Sequence, residues 1–138
     1  MYHKIMVPVD LGHVERLEKA LTTAADLSRH YGIPVSYVGV SAAAPGSIAH
    51  SPHEFEEKMA AFAREQAEKH GLADVSASAC ISHDPAVDLD ATLLKAVRDD
   101  GADLVVMASH VPGLAEHLFA SNAGYVALHA EASVFVVR

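Results

Sequence analysis

Asp103-Leu104-Val105-Val106-Met107-Ala108-Ser109-His110 is followed, after a loop, by Ala120-Ser121-Asn122. The unbroken apolar run from Leu104 to Ala108 fits a strand buried on both faces, as in a parallel sheet. Polarity returns abruptly at Ser109 and His110, and Pro112-Gly113 cannot continue a strand. Ser121 and Asn122 are both good N-caps and predict a helix start. A buried strand that passes through a loop into a helix N-terminus is where open α/β sheets bind ligands. Free backbone N–H groups and the helix dipole converge there. One wall of any site is expected in this stretch.

Outward from it, Lys4-Ile5-Met6-Val7-Pro8-Val9-Asp10 predicts a second buried strand, ending on a carboxylate. Pro8 lacks an N–H and belongs near the end of that strand. Val14, Leu17, Leu21, Ala24 and Leu27 recur at helical spacing and predict one amphipathic helix, stopped by Gly32. Val35 to Val40 reads as a strand, and 42–50, without any period, as a loop. Ser51-Pro52-His53-Glu54 is a capping box with proline at the first helical position. Phe55, Met59, Phe62 and Gln66 or Ala67 set the inner face of its helix, which Gly71 closes.

Val75, Ala77, Ala79 and Ile81 alternate with Ser76, Ser78 and Cys80, so this strand buries one face and suits a sheet edge. His83-Asp84-Pro85 turns the chain into a helix carrying Leu89, Leu93 and Val97, ended by Gly101. After the 104–108 strand and its loop comes a helix through Val126 and Ala130. The last segment is a strand, Ser133-Val134-Phe135-Val136-Val137-Arg138.

The alternation β-α-β-α-β-α-β-α-β predicts one α/β domain over 1–138, an open five-stranded parallel sheet with helices on both faces. Strands one and four, apolar throughout, are expected at the centre and strand three at an edge, which gives the order 3-2-1-4-5. The switch point then lies between Val9-Asp10 and Ala108-Ser109-His110, with loop 42–50 over the same end.

The totals exclude several function classes. A formal charge of −8 disfavours nucleic acid and anionic lipid as partners. No apolar run approaches the roughly 20 residues of a membrane helix, and the start lacks a signal peptide's apolar core. Cys80 is the single cysteine, which rules out an internal disulfide framework. A cytoplasmic protein is expected. The final strand, Val134 to Val137, has no charge or proline to guard it as a sheet edge. The simplest cover is the same strand of a second copy about a two-fold axis, a homodimer through 133–138.

Ile5-Met6-Val7-Pro8-Val9-Asp10, Asp84-Pro85, Gly101-Ala102-Asp103 through His110, and His129-Ala130-Glu131-Ala132-Ser133 to Arg138 together resemble the universal stress protein family. The resemblance spans the whole chain and is strongest to the F/G-type subgroup, through Ala108-Ser109-His110-x-Pro112 and Ser121-Asn122. It implies a Rossmann-like, adenine nucleotide alpha hydrolase-like fold, a homodimer through the last strand, and ATP or AMP as ligand, with Mg²⁺ an open possibility. It places Pro8, Val9, Asp10 and Val40 beneath the base and ribose, and counts Met107, Ala108, Ser109, His110, Val111, Ala120, Ser121 and Asn122 among the nucleotide-binding residues as well.

The family's phosphate pattern, G-x-x-G-x9-G-[ST], is met here without its glycines. Ala108 and Val111 take the first two places, and the last two fall on Ala120-Ser121 or on Ser121-Asn122. Val111 is β-branched and precedes Pro112, so it cannot supply glycine's positive φ. No Lys or Arg lies between Asp103 and Arg138 to meet a triphosphate. The phosphate grip is expected to be weak.

Two readings stand at several positions. Asp10 either accepts hydrogen bonds from a bound adenosine or is an N-terminal carboxylate of the first helix, interacting with its dipole. Ser121-Asn122 either meets phosphate oxygens or only caps. Ser109 and His110 point to opposite faces of a strand and cannot form a nucleophile–base pair. The ten histidines show no helical metal-ligand spacing. Cys80 reads as an inert small residue. Neither G-x-x-x-x-G-K-[ST] nor G-x-G-x-x-G occurs. Weak ATP hydrolysis or autophosphorylation is the most catalysis to expect. The two functions in contention are an adenine-nucleotide-binding stress regulator and a nucleotide-independent dimeric platform for an unknown protein partner.

Overall fold

The computed structural model describes residues 1–46, 48–109 and 122–138. Its strands β1 (Ile5–Val9), β2 (Val35–Ala42), β3 (Val75–Ser82), β4 (Leu104–Ala108) and β5 (Ser133–Val137) alternate with helices α1 (Glu18–Tyr31), α2 (Pro52–His70), α3 (Pro85–Asp100) and α4 (Asn122–His129). The strands pair in parallel in the order β3-β2-β1-β4-β5, as expected.

Alternation along each strand divides the core in two. Ile5, Val7, Val9, Tyr37 and Val106 pack under α1 and α2, against Leu21, Ala24, Phe55 and Met59. Met6, Val38, Val105 and Met107 pack under α3 and α4, against Leu89, Leu93 and Val126. Helices therefore cover both faces of the sheet. Where α2 crosses β2 the chain has Gly39; a Cβ there would lie 2.6 Å from Met59 Sδ and 2.8 Å from Phe55 Cζ. An isolated glycine within a strand is a sequence signal of such a close approach.

The helix signals of α2 are built as read. The Glu54 N–H donates to Ser51 Oγ at 3.1 Å and Pro52 opens the helix. The Glu54 carboxylate reaches one residue beyond the usual capping partner and accepts from the His50 N–H at 2.9 Å.

Two expectations are corrected. Val14 and Leu17 do not lie on α1: a 3-10 segment, Leu11–Arg16, precedes it, and α1 begins at Glu18. A three-residue spacing fits a 3-10 turn as well as an α-helix, so periodicity alone did not separate them. Ile81 does not point into the core but is 39% exposed. β2 and β3 pair as far as Ala42 and Ser82, past the last β1 partner Gly39, so Ile81 stands beyond the part of the sheet that β1 backs.

The amino ends of the central strands are tied by two carboxylates. Lys4 Nζ donates to Asp100 Oδ1 at 2.8 Å, and Ser36 Oγ donates to the same oxygen at 2.9 Å. Asp103 accepts from the backbone N–H groups of His3 and Lys4 at 3.0 and 3.1 Å. Burial pushes the Asp103 carboxyl up, but those two N–H groups and the His3 ring outweigh it and hold it at about 2. Because this lies below the ordinary 3.8, the stabilisation is fully present above pH 4 or so and is lost as pH falls toward 2. The side chain is 39% exposed, so solvent screening keeps the effect small. In urea melts, Asp103→Asn should trail the unaltered chain at pH 5, and the gap should narrow steadily as pH falls below 4 toward 2. A constant gap would contradict this linkage.

Candidate functional site

The sheet opens where its order reverses. β1 pairs with β2 along its whole length, Ile5–Val35 to Val9–Gly39, but with β4 only at Ile5–Leu104 and Met6–Val105. Pro8 explains the asymmetry. The Ile5 N–H bonds Pro34 on the β2 side, while the Lys4 carbonyl accepts from Leu104 on the β4 side. In a parallel ladder successive residues face alternate neighbours, so Pro8 faces β4, where it has no N–H to give. The carboxyl ends of β1 and β4 thus part into a crevice at the switch point, the usual ligand position of such sheets.

Asp10 sits on the lip of this crevice, extended, at the start of the 3-10 segment. Its Oδ1 accepts from the Gly12 N–H at 3.0 Å, and its Oδ2 lies 2.9 Å from His13 Nδ1. The turn thereby fixes the carboxylate's direction. A Cβ at Gly12 would come within 3.3 Å of Oδ1 and 3.5 Å of Ile48 Cδ1. Asp10 therefore caps the 3-10 segment rather than α1, yet each oxygen keeps a lone pair for a ligand. Gly12 and His13 were missed as its partners; the Asp-x-Gly spacing of an Asx turn was the available signal.

Pro8 is buried beside Asp10. Val9 is buried on the opposite face, among the α1–α2 core, so only its backbone reaches the crevice. Val40 stands one residue beyond the β1–β2 pairing, half-buried against the cluster that holds Met6 and Met107. Met107 is buried on that same face, and Ala108 and Ser109 are half-buried. The Ser109 N–H donates to the Val137 carbonyl at 2.7 Å, which keeps that strand end tied to β5. His110, Val111, Ala120 and Ser121 lie outside the described residues. Asn122 opens α4, its side chain outside them too.

The result is an apolar floor of Pro8, Val40 and Met107 beside one oriented carboxylate. It suits a flat, mainly apolar group bearing a hydrogen-bond donor. Among the described residues no group of three His, Cys, Asp or Glu side chains is placed to hold a metal ion, and no helix is long and apolar enough to cross a membrane.

A model of the universal stress protein family matches residues 1–138. The chain is 32% identical to universal stress protein G of Shigella flexneri, over all of both chains. It superposes on the universal stress protein of Archaeoglobus fulgidus in complex with dAMP with a TM-score of 0.69 and 22% identity, covering 99% of this chain and 98% of the other. A family member from Arabidopsis thaliana with AMP bound gives 0.63 and 17%, covering 98% and 90%. These structures share the Rossmann-like α/β fold.

Proposed function

The chain belongs to the universal stress protein family, and from that premise we propose that it is a cytoplasmic, dimeric regulatory protein that binds an adenine nucleotide. The observation that carries this reading is the parting of β1 and β4 beyond Met6 and Val105, with Asp10 on its lip. Adenine rests on Pro8, Val40 and Met107. Asp10 accepts from the adenosine, and the backbone of Val9 and Ala108 lines its edge. The relatives solved with dAMP and AMP support a nucleoside monophosphate as ligand.

The phosphates extend toward Ser109, His110, Val111, Ala120, Ser121 and Asn122. Alanine at 108 and valine at 111 deny a close backbone approach, and no Lys or Arg follows Asp103 before Arg138. ATP, with or without Mg²⁺, is therefore held mainly by its adenosine half. Ala108→Gly with Val111→Gly should tighten ATP roughly 5–10-fold, about one backbone–phosphate hydrogen bond, and leave AMP less changed. No gain would mean that the loop serves something other than phosphate. The alanine and valine that stand at 108 and 111 in place of glycine favour the second reading, a nucleotide-independent dimeric platform.

The dimer forms through β5. Its far edge has no partner strand among the described residues, and Phe135 and Val136 are 47% and 36% exposed. No lysine or proline guards it. Light scattering should give twice the chain's 14.6 kDa, and Val136→Lys should return the mass to that of one chain. A monomer without the substitution would remove the dimer from this reading.

A further inference from the structure

The Asp10 carboxylate is anchored twice, once by backbone and once by a side chain. The Gly12 N–H holds Oδ1 at 3.0 Å, and His13 Nδ1 lies 2.9 Å from Oδ2. The second anchor adds something the first cannot. The last torsion of an aspartate is broad, so one anchored oxygen leaves the carboxylate plane free to turn. Anchoring both oxygens sets the plane, and with it the directions of the lone pairs left for a ligand.

The backbone supports this contact. His13 departs from helical geometry inside the 3-10 segment, at φ −141° and ψ 42°, and its ring meets the carboxylate three residues back. Among the described residues nothing else holds Oδ2. The ring is the more exposed partner, 44% against 16%, so replacing it leaves the core intact.

We propose that His13 is a positioning residue of the crevice: its Nδ1–H fixes the plane of the Asp10 carboxylate, and nucleotide affinity depends on that. The inference rests on Asp10 accepting from the ligand, as in the reading above. An acceptor already held in place loses less freedom when the ligand arrives, and the saving appears as affinity. The same contact selects the state of the ring. A neutral imidazole that turns Nδ1 to a carboxylate carries its proton there rather than on Nε2.

His13→Leu removes the donor and should weaken AMP roughly 3–10-fold in calorimetry, the effect of about one hydrogen bond. His13→Asn places an amide N–H close to where Nδ1–H stands, and should recover affinity to within roughly 2-fold. In an Asp10→Ala background, His13→Leu should weaken AMP no further, because the residue it acts through is gone. Ring ¹⁵N shifts at about pH 8, where imidazole is ordinarily neutral, should place the proton on Nδ1 of His13, and Asp10→Ala should release it. AMP binding equal in His13→Leu and the unaltered chain would overturn the proposal. So would a failure of asparagine to rescue, or a proton found on Nε2. An unaltered chain that shows the Nδ1–H signal but stays silent toward AMP would overturn the nucleotide reading, and this inference with it. The ring shifts are read on the unaltered chain and decide even where a variant folds poorly.

Discussion

Gly39→Val is expected to destabilise the fold by about 3 kcal/mol, and Gly39→Ala by about 1–2 kcal/mol, by overpacking the α2–β2 contact. The first added carbon already falls 2.6 Å from Met59 Sδ and 2.8 Å from Phe55 Cζ. These two neighbours respond differently. A thioether has three rotatable bonds and can swing aside cheaply. The Phe55 ring is 3% exposed and moves only with the helix that carries it. Valine's better strand propensity, worth at most about 1 kcal/mol, does not offset a displaced helix. Because Gly39 pairs with Val9, the disturbance also reaches the strand ends that bound the crevice. Urea melts followed by circular dichroism measure the loss directly. In a Phe55→Leu background the added cost of Gly39→Ala should shrink, since the rigid obstacle is gone. A Gly39→Ala chain as stable as its parent would show that α2 does not press on β2 as described.

The second large effect concerns Asp10. If its carboxylate accepts from bound adenosine, Asp10→Asn should weaken AMP binding roughly 10–150-fold, the range of one hydrogen bond to a charged group. The asparagine keeps an amide oxygen for the Gly12 N–H and caps about as well as aspartate, so stability should hardly change. Asp10→Ala loses the cap as well, at a cost of about 1 kcal/mol. Asparagine thus separates the two roles that the carboxylate combines. Calorimetry with AMP on both variants, beside melts of each, gives the comparison. Unchanged AMP affinity in Asp10→Asn would confine Asp10 to capping its turn.

The features most legible in the sequence were those in which burial writes a pattern. Leu104 to Ala108, apolar without interruption, marked a central strand, and the alternation from Val75 to Ala79 marked an edge. Their contrast ordered the whole sheet. Ser51-Pro52-His53-Glu54 announced α2 because capping is local chemistry between residues three apart. What stayed hidden depends on direction or on partners distant in the chain. That Pro8 turns toward β4 follows only from which neighbour each residue of β1 faces, a matter of register. Gly39 matters because of Met59 and Phe55 on a helix folded over it. Gln66 is legible in the sequence as one candidate for an inner helix face, but not as a buried oxygen without a hydrogen-bond partner.

The candidate site was legible as a place, the meeting of Val9-Asp10 with Ala108-Ser109. The chemistry at Asp10 was less so. Its partners Gly12 and His13 sit in a turn that the hydrophobic period disguised as the start of α1.

Titration calorimetry of the nucleotide-free protein with AMP, and in parallel with ATP and Mg²⁺, decides whether the crevice between β1 and β4 holds a nucleotide. AMP should bind saturably, with ATP no tighter despite its two further phosphates. Silence toward both ligands would contradict nucleotide binding and leave the dimeric platform. ATP binding far tighter than AMP would contradict the weakened phosphate wall at Ala108 and Val111.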